Sequence, residues 1–141
     1  MDENLPFVRS RGQTRCEANT LSERANTRLH VGHAEASADD ALLASVRALQ
    51  ISDHPLTALA LDLFAASVAT GGDYERAAII LAATEAAREV LGVEAEPEEA
   101  EIREIALARL GPESESIAAA WQRGRGIDLQ AAVEIAKGTP A

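Results

Sequence analysis

Two histidines and a glutamate in the N-terminal part of the chain are residue types that readily bind a transition metal. His30, His33 and Glu35 stand close together in the sequence. A helical zinc site of the protease type needs the order His-Glu-x-x-His, which places both imidazoles on one helix face. The order here is different, and no firm helical pattern surrounds it. We therefore interpret the three residues as part of a solvated segment and predict no metal ligand.

Cys16 and His54 are the remaining candidates for nucleophilic or acid–base chemistry. Cys16 has no His or Asp at patterned spacing near it, and a single cysteine cannot form an internal disulfide, which is typical of a reducing cytoplasm. His54 precedes Pro55 at a predicted helix start, where it serves as a cap or loop residue. The sequence contains no Ser–His–Asp set and no Gly-rich phosphate loop. It therefore predicts a non-enzymatic protein with no catalytic, cofactor-binding or metal-binding residue.

An acidic run occupies a linker and the start of the helix that follows it. Its members are Glu94, Glu96, Glu98, Glu99, Glu101 and Glu104. A calcium loop needs Asp or Asn at alternate positions around a central glycine, and this run lacks both. Glutamates also favour the positive N-terminal end of a helix. Two interpretations stay open, a solvated helix start and a surface that docks a basic partner.

Three features in the second half of the chain have both structural and functional interpretations. The basic turn at residues 123–126 (Arg-Gly-Arg-Gly) is too small for a nucleic-acid groove and is predicted to cap a helix C-terminus. Trp121, the only tryptophan, is predicted to anchor the last three helices, with an interface hot spot as the alternative. Tyr74 is predicted to pack between helices instead of acting as a functional tyrosine.

The charge of the chain excludes several classes of partner. The 141 residues include 23 acidic residues and 13 Lys or Arg, which gives a net charge of −10. Residues 1–36 are neutral in sum, so the whole excess lies in residues 37–141. Nucleic acids and anionic membranes attract clustered Lys and Arg, so we expect neither as a partner. No apolar run reaches the ~18 residues of a membrane span, and no secretory signal is recognisable, which favours the cytoplasm.

The composition favours helices over strands. Apolar residues make up 47% of the chain and aromatic residues 3%, and 30 residues are alanine. Small side chains pack helices closely and build strands poorly, and no segment alternates with the period of a strand. We predict an all-α protein of about six helices. A polar N-terminal arm, residues 1–36, is expected to be disordered or loosely docked, and residues 37–141 form an α-helical repeat-like domain.

Caps and apolar periodicity place six helices after residue 36. They are predicted at about 38–51, 55–70, 73–91, 97–110, 112–124 and 129–137. Ser37 and Asp128 are among the predicted N-caps. The second helix is apolar nearly all round, which is typical of a helix buried on more than one side. Within the arm, Leu21, Ala25 and Leu29 recur at every fourth position and mark one helical fragment.

The third predicted helix changes character along its length. Its first two turns carry apolar side chains on two faces. Its second half keeps one apolar face, formed by Ala86, Ala87, Val90 and Leu91. The opposite side of this half carries Glu85, Arg88 and Glu89. We therefore expect the aliphatic face to be buried and the charged side to be exposed.

The helical pair at residues 55–91 resembles a tetratricopeptide repeat. The turn Gly71-Gly72-Asp73-Tyr74-Glu75-Arg76-Ala77 brings a small residue to the start of the second helix, and Ala65 supplies the small residue of the first helix. Leu61 and Phe64 take the neighbouring packing positions. The closing proline of the family is absent, because the second helix continues to Leu91. The resemblance implies a right-handed array of helical hairpins.

A longer stretch, about residues 38–137, resembles the tetratricopeptide-like C-terminal region of LuxR-type regulators and large bacterial signal-transduction ATPases. The likeness rests on residues 72–78, 86–92, 110–111, 118–121, 124–125 and 129–136. Ala82 and Ile117 stand where that family often has Gly and Phe. The phosphate loop and the helix-turn-helix that accompany this region in the family are missing from the sequence. The resemblance therefore implies only the scaffold and its use in holding another protein.

These patterns predict an acidic, cytoplasmic scaffold for protein–protein interaction, related to bacterial regulators of signal transduction. A short helical array leaves apolar faces uncovered, so we expect a protein partner or self-association as a homodimer. We expect no nucleic acid, membrane, cofactor or small-molecule substrate. Two alternatives stay open. One is a free-standing regulator that competes with a full-length relative for its partner, and the other is a small helical enzyme with titratable groups inside the bundle.

Overall fold

The chain folds into helices joined by short turns and one acidic linker. The computed structural model describes the backbone of residues 5–138 and the side chains of residues 10–138. These described residues form seven helices and no strand, so the predicted all-α class is confirmed. The helices are α1 (Leu5–His30), α2 (Ala34–Gln50), α3 (His54–Thr70), α4 (Tyr74–Leu91), α5 (Pro97–Arg109), α6 (Glu115–Arg125) and α7 (Leu129–Ala136).

The N-terminal segment is a helix that packs on the rest of the protein. α1 lies along α2 and also contacts α3. Its apolar stripe is buried and consists of Ala18, Leu21, Ala25 and Leu29. Arg24 and Arg28 each approach the Asp40 carboxylate of α2 to 2.8 Å. The prediction of a disordered or loosely docked arm is therefore wrong for residues 10–30, whereas the predicted helical fragment is confirmed. Residues 1–4 lie outside the described residues.

α2 begins at Ala34, four residues earlier than predicted, so Ser37 lies inside the helix. The Ser37 hydroxyl is buried, donates to the Ala25 carbonyl of α1 at 2.7 Å and accepts from the Ser67 hydroxyl of α3 at 2.9 Å. Ser37 therefore joins three helices instead of capping one, and its predicted role as an N-cap is wrong. The predicted boundary between arm and domain falls inside α2.

α3 occupies the middle of the molecule. Asp53 caps it by accepting the Leu56 N–H at 3.2 Å. α3 contacts α1, α2, α4, α5 and α7. Most of its residues between Leu56 and Ala69 are buried, as its apolar composition predicted. The main hydrophobic core is built around Leu61 and Phe64 of α3 and Ile80 of α4.

The last three helices cover α3 and α4. α5 packs on α3, α6 packs on α4, and α7 closes the bundle against α2, α3 and α4. Ser114 caps α6, which begins three residues later than the predicted start at Pro112. Asp128 caps α7 by accepting the Ala131 N–H, as predicted. No helix among the described residues is long and apolar enough to cross a membrane.

Gly124 allows α6 to approach the backbone of α4. A Cβ atom at this position would lie 2.2 Å from the Ile79 carbonyl oxygen and 2.7 Å from the Ala82 Cβ atom. The predicted C-cap at this turn is confirmed at Gly126, whereas Gly124 lies inside α6. The glycine is required by a close helix crossing and not by a turn.

Candidate functional site

The C-terminal half of α4 forms one wall of an open apolar groove of about 570 Å³. The end of α2, the start of α3 and the α6–α7 turn complete it. We call this surface the α4 groove. Its lining residues are Leu49, His54, Ala86, Ala87, Val90, Leu91, Arg125, Gly126, Ile127, Asp128, Leu129 and Gln130.

The edge of the α4 groove exposes large aliphatic side chains. Val90 is 88% exposed, and Leu91 and Val93 are also exposed. The prediction that Val90 and Leu91 belong to a buried face is therefore wrong. Arg88, which was predicted to face solvent, is buried instead. Since Val90 follows Arg88 by two residues, about 200° around the helix, burial of Arg88 turns Val90 outward.

Acidic side chains border the α4 groove. Arg125 in the lining binds Glu85 at 3.0 Å and Glu89 at 2.6 Å. The hydrogen bond from Arg125 lowers the pKa of Glu89, and the same bond raises the pKa of Arg125. Glu94 and Glu96 of the following linker are exposed and form no ion pair with the described residues. Two carboxylates face the one guanidinium of Arg125, so this edge of the groove is net negative.

A second cluster of charged side chains lies between α3, α4 and α5. Asp62 of α3 is fully buried and contacts Arg88 of α4 at 2.7 Å and Arg103 of α5 at 2.9 Å. Thr84 donates to Asp62 Oδ1 at 2.6 Å, and Glu99 lies 3.0 Å from Arg88. Two guanidinium groups face two carboxylates, so the cluster is neutral in sum. Its contacts join three helices, so we assign the cluster a structural role.

Sequence reasoning missed this buried cluster. It assigned no role to Asp62 in the apolar second helix and placed Arg88 on an exposed face. The available signal was the position of Asp62, because a carboxylate in a helix that is buried all round requires a cationic or hydrogen-bonding partner. Burial also raises the pKa of Glu99 above its ordinary value of 4.5, although Arg88 opposes this shift.

The residues first considered for chemistry do not come together. The side chains of His30, His33 and Glu35 are exposed, and no group of three metal-binding side chains occurs among the residues that the structure describes. Cys16 is an exposed free thiol. Of these candidate residues, only His54 lies in the lining of the α4 groove.

The aromatic candidates are partly exposed. Trp121 is half-buried and packs against the main core from α6. Tyr74 is exposed and lines a shallow cleft with Leu110, Pro112 and Ile117. In the acidic run, Glu99 is half-buried and the other five glutamates are exposed.

No protein-family model matches the sequence, and no curated protein and no solved structure matches it. Function must therefore be inferred from the α4 groove and from the arrangement of the helices around it.

Proposed function

We propose that this protein is a non-enzymatic scaffold for protein–protein interaction and that the α4 groove holds its partner. The observation that carries the proposal is Val90, which is 88% exposed at the edge of an apolar groove. Contiguous exposed apolar surface is typical of contact sites between proteins. A partner that covers Val90 and the groove removes apolar area from water, which favours association.

The titratable side chains in the lining support binding instead of catalysis. They are His54, Arg125 and Asp128. Arg125 is engaged by two glutamates, and Asp128 accepts the Ala131 N–H as the N-cap of α7. The His54 side chain forms no hydrogen bond within the described part of the chain. Nucleophilic and acid–base catalysis need groups within hydrogen-bond reach of one another, and this lining lacks such a pair.

The helix contacts support a tetratricopeptide-like array, which is part of the proposal. α1 pairs with α2 and α3 pairs with α4, while α3 also contacts α1 of the preceding pair and α5 that follows. α1 thus supplies a helical partner for α2. The array departs from a simple solenoid at its end, where α6 folds onto α4 and α7 packs against α2, α3 and α4. In the bacterial regulators that the sequence resembles, such a module holds another protein or domain, and we propose the same use here.

Affinity capture with the tagged full chain as bait tests the proposed function. We expect the wild-type chain to retain a protein that Val90→Asp loses and Leu107→Asp keeps. Leu107 is an exposed aliphatic residue of α5 outside the groove lining, so both variants add one negative charge at an exposed position. The proposal fails if the wild-type chain is monomeric and retains the same proteins as Val90→Asp.

A further inference from the structure

We infer that the segment bound in the α4 groove is an amphipathic helix of a partner protein, with basic side chains on both margins of its apolar face. This inference rests on the proposed scaffold function and adds the chemistry of the bound segment. It is carried by the apolar lining of the groove, by the secondary structure around it and by the charge at its border.

The lining selects an apolar stripe on the partner. Leu49 of α2 and Leu129 of α7 meet the α4 wall in this groove. Ala86 and Ala87 are small, so larger side chains of a bound segment can come close to the α4 backbone. Val90 at the edge would then be covered by the same segment. Aliphatic anchors at helical spacing are the side chains that such a surface accepts.

A helix fits this groove better than an extended segment. The described residues form no strand, so they offer no open strand edge with which an extended segment could form backbone hydrogen bonds. An extended segment would therefore leave the N–H and C=O groups on its buried side without partners, which is unfavourable. A helix brings its backbone hydrogen bonds with it and presents only side chains to the groove.

The charge at the border selects basic side chains and disfavours a second copy of this chain. Glu85 and Glu89 both engage Arg125, so this edge of the groove carries a surplus negative charge. The linker that follows α4 adds the exposed carboxylates of Glu94 and Glu96. The full chain carries a net charge of −10, so two copies repel each other. Lysine or arginine on the margins of a bound helix would instead meet complementary charge.

A pair of synthetic peptides tests the inference. The first is a labelled amphipathic peptide of about five helical turns, with leucines on one face and lysines at the margins of that face. The second has glutamate in place of every lysine. The full-length protein is titrated into each peptide, and binding is followed by fluorescence anisotropy. We expect the lysine peptide to bind at least about tenfold more tightly than the glutamate peptide.

Two matched variants distinguish binding in the groove from attraction by net charge. Val90→Asp and Leu107→Asp each add one negative charge, so net charge alone would strengthen binding of the lysine peptide equally in both. We expect Val90→Asp to weaken binding by about tenfold, while Leu107→Asp leaves it within about twofold. A variant with both Glu94→Lys and Glu96→Lys is expected to bind the lysine peptide at least about threefold more weakly. Circular dichroism checks that each variant keeps its helices.

The possible outcomes separate this inference from the proposed function. Equal binding of the two peptides, or equal effects of Val90→Asp and Leu107→Asp, overturns the inference. If neither peptide binds and the wild-type chain sediments as a dimer that Val90→Asp makes monomeric, a second copy occupies the groove. In that case the inference fails and the scaffold function stands. A third outcome combines three results: neither peptide binds, the chain is monomeric, and capture does not depend on Val90. In that case both the inference and the proposed function fail.

Discussion

At the scale of single residues, the fully buried Asp62 is the charge on which the α3–α4–α5 contacts depend. Asp62→Ala would leave Arg88 and Arg103 in a buried site with Glu99 as the remaining carboxylate. Removal of one partner from a buried ion pair costs about 3–5 kcal/mol. We expect a loss of this size in the free energy of urea unfolding. Glu104→Ala, on the exposed side of α5, is the control and should change it by less than about 0.5 kcal/mol. Equal stability of the two variants would refute a structural role for the cluster.

Glu99 has a pH dependence of opposite sign to that of an ordinary ion-paired carboxylate. Burial raises its pKa from 4.5, so the folded protein binds this proton more tightly than the unfolded chain does. The stabilisation is therefore present below pH 4.5 and is lost as the pH rises through the raised pKa. We expect the free energy of unfolding of Glu99→Gln to increase relative to that of the wild type as the pH rises from about 4 to about 7. Urea unfolding of both proteins across this range measures the shift, and a difference that does not vary with pH would contradict it.

The same residues show why this cluster could not be predicted in full. A charged residue on a helix is assigned to the solvent side unless its partner is known, and the partner of Arg88 belongs to another helix. The isolated carboxylate of Asp62 was visible in an apolar helix, but the identity of its partners depends on how three helices cross. The exposure of Val90 follows from the inward position of Arg88. The edge of the candidate site was therefore mispredicted for the same physical reason.

At the scale of helices, the docking of α1 can be tested with two neighbouring residues. Leu29 is 3% exposed and Val31 is 61% exposed. We expect Leu29→Ala to lower the free energy of unfolding by about 2–4 kcal/mol, because it removes buried methyl groups and leaves a cavity. Val31→Ala should change it by less than about 0.5 kcal/mol. Urea unfolding measures both variants, and an undocked segment would make the two substitutions equally neutral.

The crossing of α6 and α4 gives a second test at this scale. In Gly124→Ala the new Cβ atom would lie 2.2 Å from the Ile79 carbonyl oxygen. Alanine is the better helix former by about 1 kcal/mol, but overpacking against a backbone atom costs about 1–3 kcal/mol. We therefore expect a net loss of up to about 2 kcal/mol, with altered fluorescence of Trp121 on the same helix. Gly126→Ala is the matched control, because its Cβ atom would lie 3.6 Å from the Arg123 carbonyl oxygen. If the control loses as much stability as Gly124→Ala, the close crossing is not the cause.

Helices with local start and stop signals could be predicted, whereas packing between helices could not. The observed bounds of α3, α4 and α5 agree with the predicted ones to within one residue, since caps, prolines and glycines act through near neighbours in sequence. α1 has a narrow stripe of buried residues in an otherwise polar helix, and it is held by tertiary contacts to Asp40 and Ser37. Such contacts supply most of the stability of a helix in a protein, and a periodicity pattern does not contain them.

At the scale of the whole molecule, the existence of an uncovered apolar surface could be predicted from the sequence, but its position could not. A short helical array must leave some apolar face open, which follows from the number of helices. The position of that face depends on α6 and α7, which fold back onto α4 and leave the α4 groove between themselves and the end of α2. The interaction function is therefore a proposal that sequence and structure reach by separate arguments.

The net charge of −10 should act in opposite directions on folding and on partner binding. Compaction brings the surplus acidic residues closer together, so salt that screens their repulsion should stabilise the folded chain. We expect the urea midpoint to rise between about 20 and about 300 mM NaCl, while binding of the lysine peptide weakens over the same range. The variant with Glu94→Lys and Glu96→Lys, whose net charge is less negative by four units, should show a smaller change in both measurements. A midpoint that falls with salt would mean that exposed ion pairs such as Arg125 with Glu89 outweigh the repulsion, and the charge argument for folding would then be wrong.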